Sequence, residues 1–266
     1  MSTQYCSLNG QLIPRNKAKL AVDHLEFTYG FGVYENISLR KKRIYFLDEH
    51  IKRLFISARI INLMHTFEKS KIKTWVHKLA DKNNTDNANI KIILIGGDKP
   101  LLYIFMLPPR YVEKKEYRQG VKAISYKYER FLPQAKTLNM LPSYVIFKKA
   151  QAQNAYDALL IDKDENALEG TRSNFFTIKN KMLYTPPVTK ILDGVTRRSV
   201  IKCAKQNGFK IIERNIPFNT IFDYDGAFFT NTSGKIVPVK TIDKKSFKQI
   251  AKELQELRRQ YNDYIK

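Results

Sequence analysis

The sequence predicts a mixed α/β protein of the α+β kind, built from two domains. Asn9 and Gly10 stand between two short apolar runs, which is typical of a β-hairpin. Segments with the alternation of strands and segments with the period of helices then recur along the chain without internal repeats. Residues 108–120, PPRYVEKKEYRQG, interrupt this pattern with two prolines and a dense charge cluster. We therefore expect domains over residues 1–113 and 114–266.

The first domain is predicted to combine strands with two helices. The strand-like runs FTYGFGVYENISL and KKRIYFL follow the hairpin. In DEHIKRLFISARIINLM, apolar residues recur at helical spacing and acidic residues stand near the start, which predicts a helix. Arg53 lies off the apolar stripe of this helix. A second helix is expected over residues 70–80, before the strands IKIILIG and LLYIFML.

The second domain is predicted to alternate strands and helices. The strand VKAISYKY precedes a helix that begins near Pro142, and the strand ALLID and the hairpin NFFTIKNKMLYT follow. A helix in ILDGVTRRSVIKCAKQNGF should end at Gly208. The last segment, SFKQIAKELQELRRQYNDYI, has one apolar face, and Ser246 with Gln249 would form a capping box at its start.

The composition argues against several classes of function. The net charge is +22, but the lysines are spread over nearly the whole chain, whereas nucleic-acid recognition needs a patch. No apolar run approaches the length of about 18 residues that a membrane span needs, and the N-terminus has no apolar signal region. Cys6 and Cys203 suggest no disulfide framework, and the four histidines show no metal-binding spacing. We expect a cytoplasmic protein without a metal site.

Lys136 stands alone in an apolar segment. It is the one charged residue in LPQAKTLNMLP, and the uncharged run around it extends from Phe131 to Phe147. A lysine among apolar neighbours loses hydration of its ammonium group, which favours the neutral amine that forms Schiff bases with carbonyls. From this segment alone, the alternative is that Lys136 lies at a strand edge and extends into water.

Three other segments contain groups that suit an anionic cofactor. In ILDGVTRRS, Gly194 permits a tight turn, so that the backbone N–H groups of Val195 and Thr196 would face a phosphate at a helix start; an ordinary N-cap is the alternative. In FFTNTSGKIVPV, Thr232 follows an apolar strand and would add a donor or lie in a solvated turn. In ALEGTRSNFF, Glu169 would need a partner such as a pyridinium nitrogen if it is buried, and otherwise belongs to a surface turn.

Taken in order, six segments resemble the fold-type IV pyridoxal-phosphate enzymes, the family of branched-chain and D-amino-acid aminotransferases and aminodeoxychorismate lyase. The resemblance extends from about Leu8 to Ile242 and rests on YGFGVYE, EHIKRLFISA, AKTLNML, LEGTRSNFF, LYTPP with ILDGVTR, and TNTSGKIVPV. It implies a smaller N-terminal α/β domain, a C-terminal α/β pseudo-barrel domain and pyridoxal 5′-phosphate in the cleft between them. It also implies a homodimer, to which Phe27, Phe31 and Tyr103 would contribute apolar surface.

The resemblance assigns the two residues closest to the chemistry. Lys136 matches the lysine that holds the cofactor as a Schiff base and later moves the α-proton of the substrate. Glu169 matches the carboxylate that pairs with the pyridine nitrogen and keeps the ring an effective electron sink.

The resemblance also assigns the phosphate and substrate contacts. Arg53 matches the arginine that binds the cofactor phosphate. Val195 and Thr196 would add backbone donors to that phosphate, and Thr232 would contribute from the later loop. Tyr34 matches a tyrosine on the substrate side, although core packing is the alternative for a single tyrosine on a strand.

Departures from the family pattern bear on the activity. Branched-chain enzymes follow the lysine with Gly-Gly-Asn-Tyr, whereas this chain has KTLNML with Leu141 at the tyrosine position, as expected nearer the D-amino-acid and lyase branches. D-amino-acid enzymes bind the substrate carboxylate through an Arg and a His, and ILIGGDKPLLYIF contains neither. We expect first an aminotransferase acting on an amino acid and a 2-oxo acid, although the missing clamp argues against it, and 4-amino-4-deoxychorismate lyase is the alternative. A cofactor-free or nucleic-acid-binding relative is the third possibility.

Overall fold

A computed structural model describes residues 4–266, which form two compact units. The first unit comprises the chain up to Arg110 together with Ala135–Met140, and the second comprises Tyr111–Gln134 and Leu141–Lys266. The sequence places the boundary between residues 113 and 114, and this placement stays a prediction. The segment around Lys136 differs from the prediction, because the structure groups it with the first unit and not with the C-terminal part.

Over residues 4–110 and 135–140, the first unit contains six strands, two long helices and one short helix. Its elements are β1 (Tyr5–Leu8), β2 (Gln11–Pro14), α1 (Leu25–Thr28), β3 (Gly32–Arg40), β4 (Arg43–Ile44), α2 (Leu47–Ile60), α3 (Lys69–Asn83), β5 (Ala88–Ile95) and β6 (Leu101–Leu107).

One antiparallel sheet organises the first unit. Its strand order is β2-β1-β6-β5-β3-β4, and α2 and α3 pack on it. The predicted hairpin turn at Asn9–Gly10 is present, with φ of 49° and 92° at these residues. The core contains buried apolar residues of β3, β5 and β6 together with one face of each long helix. Buried residues alternate along β5 and β6 because the helices cover one face of this sheet.

The predicted strand over KKRIYFL is much shorter in the structure. Lys41 and Lys42 adopt positive φ and form the turn, so that only Arg43–Ile44 pairs with β3. Phe46 then takes the left-handed conformation, with φ of 55°, immediately before α2 begins at Leu47. The helix therefore starts one residue before the acidic pair that the sequence placed near its start.

Lys136 joins the first unit because its segment pairs with the beginning of β3. Val33 and Thr137 form an antiparallel bridge. The N–H of Tyr34 donates to the carbonyl of Lys136 at 3.0 Å, and the N–H of Leu138 donates to the carbonyl of Gly32 at 2.8 Å. On the other side, the N–H of Lys136 donates to Ser57 Oγ of α2 at 3.0 Å. Backbone hydrogen bonds to two elements thus hold this segment.

The second unit contains ten strands and four helices, with 3₁₀ turns between some of them. Its elements are α4 (Lys114–Gln119), β7 (Val121–Lys127), α5 (Leu141–Ala152), β8 (Asp157–Ile161), β9 (Asn166–Gly170), β10 (Asn174–Lys179), β11 (Met182–Thr185), α6 (Val195–Gln206), β12 (Lys210–Glu213), β13 (Ile216–Pro217), β14 (Gly226–Asn231), β15 (Lys235–Ile242), β16 (Lys245–Ser246) and α7 (Lys252–Tyr264).

The sheet of the second unit closes on itself. Along its path the strands run β10-β14-β15-β7-β8-β9, and β9 pairs back onto β10. The closing pair is Asn174 with Glu169. Closure gives these strands partners on both sides and produces the pseudo-barrel expected from the sequence. Phe175 of β10 and Phe229 of β14 belong to the core cluster that these strands share, and the rings of Phe176 and Phe228 stack with centroids 4.9 Å apart.

The C-terminal helix begins later than the sequence predicts. Ser246 belongs to β16, where it pairs with Thr241 of β15, so the predicted capping box with Gln249 does not form. The N–H of Phe247 also donates to the carbonyl of Lys240 at 3.0 Å. Strand pairing therefore uses the residues that would have capped the helix, and α7 starts at Lys252. Its apolar face is buried as predicted, through Leu254, Leu257 and Tyr261. Within residues 4–266, no helix has the length and apolar character that crossing a bilayer requires.

Candidate active site

Lys136 of the first unit lies over an aromatic ring. Its Nζ is 4.5 Å from the ring centroid of Tyr34, and Tyr34 is buried in β3. The bridge between Val33 and Thr137 brings the two side chains together, because it fixes the register of the Lys136 segment against β3. An ammonium group at this distance interacts favourably with the face of the ring. The amine therefore has a defined position.

Lys91 of β5 places a second amine on the same ring. Its Nζ is 5.1 Å from the centroid of Tyr34. Burial lowers the pKa of Lys91, the positive charges of Lys136 and Arg110 lower it further, and Tyr34 acts in the opposite direction. The region around Tyr34 thus holds a cluster of half-buried basic groups, which favours a negatively charged ligand.

Arg53, Glu35 and His50 form a buried cluster between β3 and α2. Arg53 Nε donates to Glu35 Oε1 at 2.7 Å, and Arg53 Nη2 donates to Oε2 at 2.8 Å. His50 Nδ1 lies 2.7 Å from Glu35 Oε2. The exposed fractions are 0% for Glu35, 1% for His50 and 6% for Arg53. Although Arg53 lies off the apolar stripe of α2, it is buried, because Glu35 supplies a charged partner beneath the helix.

The charges of this cluster depend on one another. Burial alone would raise the pKa of Glu35, but the charge of Arg53 and the hydrogen bonds from Arg53 and His50 hold that pKa well below its usual range. Burial lowers the pKa of His50, and the negative charge of Glu35 opposes this effect. Glu35 is therefore ionised and accepts hydrogen bonds, so His50 Nδ1 carries the proton that it shares with Glu35.

Glu169 of the second unit is buried at the closure of the barrel. Its Oε1 accepts from Arg130 Nη1 at 3.1 Å. Its Oε2 accepts from Asn174 Nδ2 and from the N–H of Leu192, each at 3.2 Å. The carboxylate is 4% exposed and belongs to the pair of residues that joins β9 to β10. The surface-turn alternative for Glu169 is therefore wrong.

A buried aspartate holds the turn between β9 and β10. Asp157 Oδ1 accepts from the N–H and the hydroxyl of Thr171, and its Oδ2 accepts from Ser173 Oγ at 2.8 Å. Gly170 allows this approach, because a Cβ there would lie 2.6 Å from Asp157 Oδ2. This turn connects Glu169 of β9 to Asn174 of β10, the two residues that pair where the barrel closes.

The start of α6 offers backbone donors. Gly194 is its N-cap and no side chain caps the first turn, so the N–H groups of Val195 and Thr196 have no side-chain acceptor from the cap residue. A Cβ at Gly194 would lie 1.9 Å from Asn174 Oδ1, which explains the glycine. Since Asn174 also donates to Glu169, this helix start is connected to the buried carboxylate. The positive end of the helix dipole favours an anion here.

Two tyrosines hold the loop that contains Thr232. Asn231 Nδ2 donates to Tyr156 Oη at 2.8 Å, and the N–H of Gly234 donates to Asn231 Oδ1 at 2.7 Å. Tyr117 Oη donates to the carbonyl of Gly234 at 2.9 Å. Burial raises the pKa of Tyr156 to about 12, so its hydroxyl stays protonated. Thr232 is half-buried within this ordered turn.

The structure distributes the predicted site residues over the two units. Lys136, Tyr34 and Arg53 belong to the first unit, whereas the second contains the four others: Glu169, Val195, Thr196 and Thr232. Sequence reasoning missed three ionisable residues of the first unit. These are Glu35, His50 and Lys91. Glu35 and Lys91 each stand within a largely apolar strand, the same signal that identified Lys136.

The chemistry of these groups fits pyridoxal phosphate. Lys136 supplies an amine that reacts with an aldehyde. Glu169 supplies a buried carboxylate, the kind of group that pairs with a protonated ring nitrogen. The uncapped start of α6 supplies donors for a phosphate. Among residues 4–266, no group of three or more His, Cys, Asp or Glu is placed to hold a metal ion.

Comparisons of the sequence with known proteins identify similar chains. The family described as amino-transferase class IV matches residues 32–242. A D-alanine aminotransferase of Bacillus licheniformis is 32% identical over 88% of this chain and 87% of its own. A putative branched-chain-amino-acid aminotransferase of Methanocaldococcus jannaschii is 30% identical over 96% of this chain and 94% of its own.

Comparison with solved structures identifies the same fold. The branched-chain amino acid aminotransferase of Escherichia coli has a TM-score of 0.93 at 23% identity, covering 99% of this chain and 95% of that one. Another branched-chain amino acid aminotransferase, solved with pyridoxamine 5′-phosphate, has a TM-score of 0.92 at 23% identity, covering 99% of this chain and 94% of that one. At this identity the likeness establishes the fold of the chain.

Glu35 should make the free energy of unfolding depend on pH in the acidic range. Its pKa is lower in the folded protein than the value of about 4.3 that an unfolded chain has, so its contribution is complete above that value and is lost as the pH falls toward the folded pKa. We expect the difference in free energy of unfolding between the wild type and Glu35→Gln to be constant from about pH 8 to 6 and to shrink below about pH 5. Urea unfolding of the cofactor-free proteins at each pH measures it. A difference that stays unchanged down to about pH 3.5, within the about 10–15% error of extrapolation, would contradict this assignment.

Proposed function

Because the chain belongs to the class IV aminotransferases, we propose that Lys136 binds pyridoxal 5′-phosphate and that the protein transfers an amino group between an amino acid and a 2-oxo acid with it. The observation that carries the proposal is the position of Lys136, whose backbone is bound to β3 and α2 and whose amine lies on Tyr34. Enzymes of this family use pyridoxal phosphate, and a structure similar to this chain is described with pyridoxamine 5′-phosphate. The named relatives support amino transfer, and none of those compared above is a lyase.

The proposal gives each residue one task. The cofactor supplies an electron-withdrawing ring that stabilises negative charge at the substrate Cα. Lys136 Nζ holds the cofactor and then takes and returns the α-proton. Glu169 accepts a hydrogen bond from the protonated ring nitrogen and preserves its charge, and Arg130, Asn174 and Leu192 hold this carboxylate in place.

We propose that four residues bind the cofactor phosphate. Arg53 provides charged donors, and Val195 and Thr196 provide backbone N–H groups at the start of α6. Thr232 contributes from the turn that follows β14. The family resemblance supports the assignment of these four residues. Two of their positions are supported by hydrogen bonds, since Glu35 holds Arg53 and the bonds of Asn231 hold the turn that contains Thr232.

We propose that Lys91 binds the substrate carboxylate. The D-amino-acid enzymes use an Arg and a His that this chain lacks, whereas Lys91 puts a half-buried cation beside Tyr34, the proposed substrate-side residue. Its neighbour Arg110 adds to the positive potential. A carboxylate that binds here would relieve the repulsion among these basic groups.

Two further proposals concern the state of the protein. We propose a homodimer, supported by the exposed apolar side chains at the N-terminal side of β3, where Phe27 is 49% exposed and Phe31 lies against the core. Tyr103 is half-buried, and its hydroxyl donates to the carbonyl of Lys19 at 2.8 Å. We also propose a cytoplasmic location, supported by Cys6 and Cys203, which are both free and buried.

The activity is tested with purified protein and added pyridoxal phosphate. D-alanine is the first amino donor to test, because a relative at 32% identity is a D-alanine aminotransferase, and L-leucine is the second. With 2-oxoglutarate as acceptor, we expect formation of pyruvate or of the 2-oxo acid of leucine, and loss of this activity in Lys136→Ala. Release of pyruvate and 4-aminobenzoate from aminodeoxychorismate, with no 2-oxo acid formed from either amino acid, would contradict amino transfer.

Lys91→Met should weaken substrate binding. Removal of one charge-assisted contact to the substrate carboxylate is expected to raise KM for the preferred amino acid about tenfold or more, with a smaller change in kcat. Lys91→Arg should restore most of the affinity, since it keeps the charge. Lys99→Met, at an exposed lysine of the turn after β5, is the matched control. Equal KM values for Lys91→Met and the wild type would exclude Lys91 from carboxylate binding.

A further inference from the structure

We infer that Glu35, supported by His50, positions Arg53 for the cofactor phosphate, and that the orientation of Arg53 contributes more to phosphate affinity than the net charge of the site. The inference rests on the proposed function, because it takes Arg53 as a phosphate ligand. It adds two residues, Glu35 and His50, that act through Arg53 and do not touch the cofactor themselves.

The pairing of Arg53 with Glu35 determines the plane of the guanidinium group. Nε and Nη2 of Arg53 donate to the two separate oxygens of Glu35, at 2.7 Å and 2.8 Å. Such a two-point contact fixes both direction and rotation, which a single contact does not. Glu35 itself is fixed, because it lies on β3, where it faces Ile92 of β5 in the register. The guanidinium is thus attached to the sheet as well as to its own helix.

His50 completes the arrangement from the same helix. It precedes Arg53 by one turn of α2, and its Nδ1–H donates to Glu35 Oε2, the oxygen that also accepts from Arg53 Nη2. Burial and the neighbouring positive charges of Arg53 and Lys136 favour the neutral imidazole. His50 therefore holds the carboxylate without adding a charge to the cluster.

The negative charge of Glu35 distinguishes the effect of orientation from that of net charge, because the two effects change phosphate affinity in opposite directions. Glu35 carries a negative charge that repels a phosphate, and its charge also neutralises that of Arg53. If only net charge mattered, neutralising Glu35 would strengthen binding of the phosphate. If orientation matters more, the same change would weaken binding, because Arg53 would lose the contact that fixes its plane. The two accounts predict opposite results for one variant.

The experiment compares two ligands that differ in the phosphate alone. Cofactor-free wild type, Glu35→Gln and Arg53→Lys are titrated with pyridoxal 5′-phosphate and with pyridoxal, and binding is followed by the absorbance of the lysine-bound chromophore. We expect Glu35→Gln to weaken binding of pyridoxal phosphate about tenfold or more, as for the loss of a charge-assisted hydrogen bond. Its affinity for pyridoxal should stay near that of the wild type. Glu49→Gln, at an exposed residue of α2, is the matched control.

The outcomes separate this inference from the proposed function. Unchanged or tighter binding of pyridoxal phosphate by Glu35→Gln, with weaker binding by Arg53→Lys, would overturn the positioning role and leave Arg53 as a phosphate ligand. An unchanged preference for pyridoxal phosphate over pyridoxal in Arg53→Lys would remove Arg53 from the phosphate site and overturn the inference with it. Equal loss of both ligands in Glu35→Gln would indicate a general structural defect and would also overturn the inference.

His50 supplies a second test that does not remove the buried carboxylate. His50→Asn retains an N–H donor near the position of Nδ1, whereas His50→Ala removes it. We expect His50→Ala to lower the preference for pyridoxal phosphate over pyridoxal, and His50→Asn to restore most of that preference. The same loss in both variants would contradict the hydrogen bond from His50 as part of the positioning. This comparison remains decisive where Glu35→Gln does not yield folded protein.

Discussion

The antiparallel bridge between the Lys136 segment and the start of β3 is the contact on which the site of the first unit depends. It joins residues about a hundred positions apart in the chain and sets Lys136 on Tyr34. The next residue of β3, Glu35, points to the opposite side of the strand and pairs with Arg53. One strand thus determines the positions of the amine and of the arginine, and a shift of its register by one residue would exchange their sides.

Buried carboxylates hold neighbouring residues in place at several points of the structure. Glu35, Asp157 and Glu169 all lie on strands, and each accepts hydrogen bonds from more than one residue. A buried charge with incomplete partners is costly, whereas a fully bonded one restricts its neighbours to one arrangement. In the second unit this restriction acts on the closure of the barrel, where Glu169 is placed. The positions of the site residues therefore follow from the same contacts that stabilise the sheets.

The sequence predicted the local elements better than the contacts between them. The turn at Asn9–Gly10, the strands β5 and β6 and the end of α6 near Gly208 depend on nearby residues, and the structure has them as predicted. The grouping of Lys136 with the first unit depends on strand pairing over a long distance, which periodicity does not reveal. The burial of Arg53 also depends on a contact between elements, with Glu35 of β3. The late start of α7 has a local cause, the hairpin between β15 and β16, which the helical period of the segment does not reveal.

Trapping the bound cofactor tests whether Lys136 is the lysine that carries it. The protein is incubated with pyridoxal phosphate, reduced with tritiated borohydride and digested, and the labelled peptide is sequenced. We expect one labelled peptide, modified at Lys136, and no label in Lys136→Ala. Label on Lys91 or on any other lysine of the wild-type protein, with Lys136 unmodified, would contradict it.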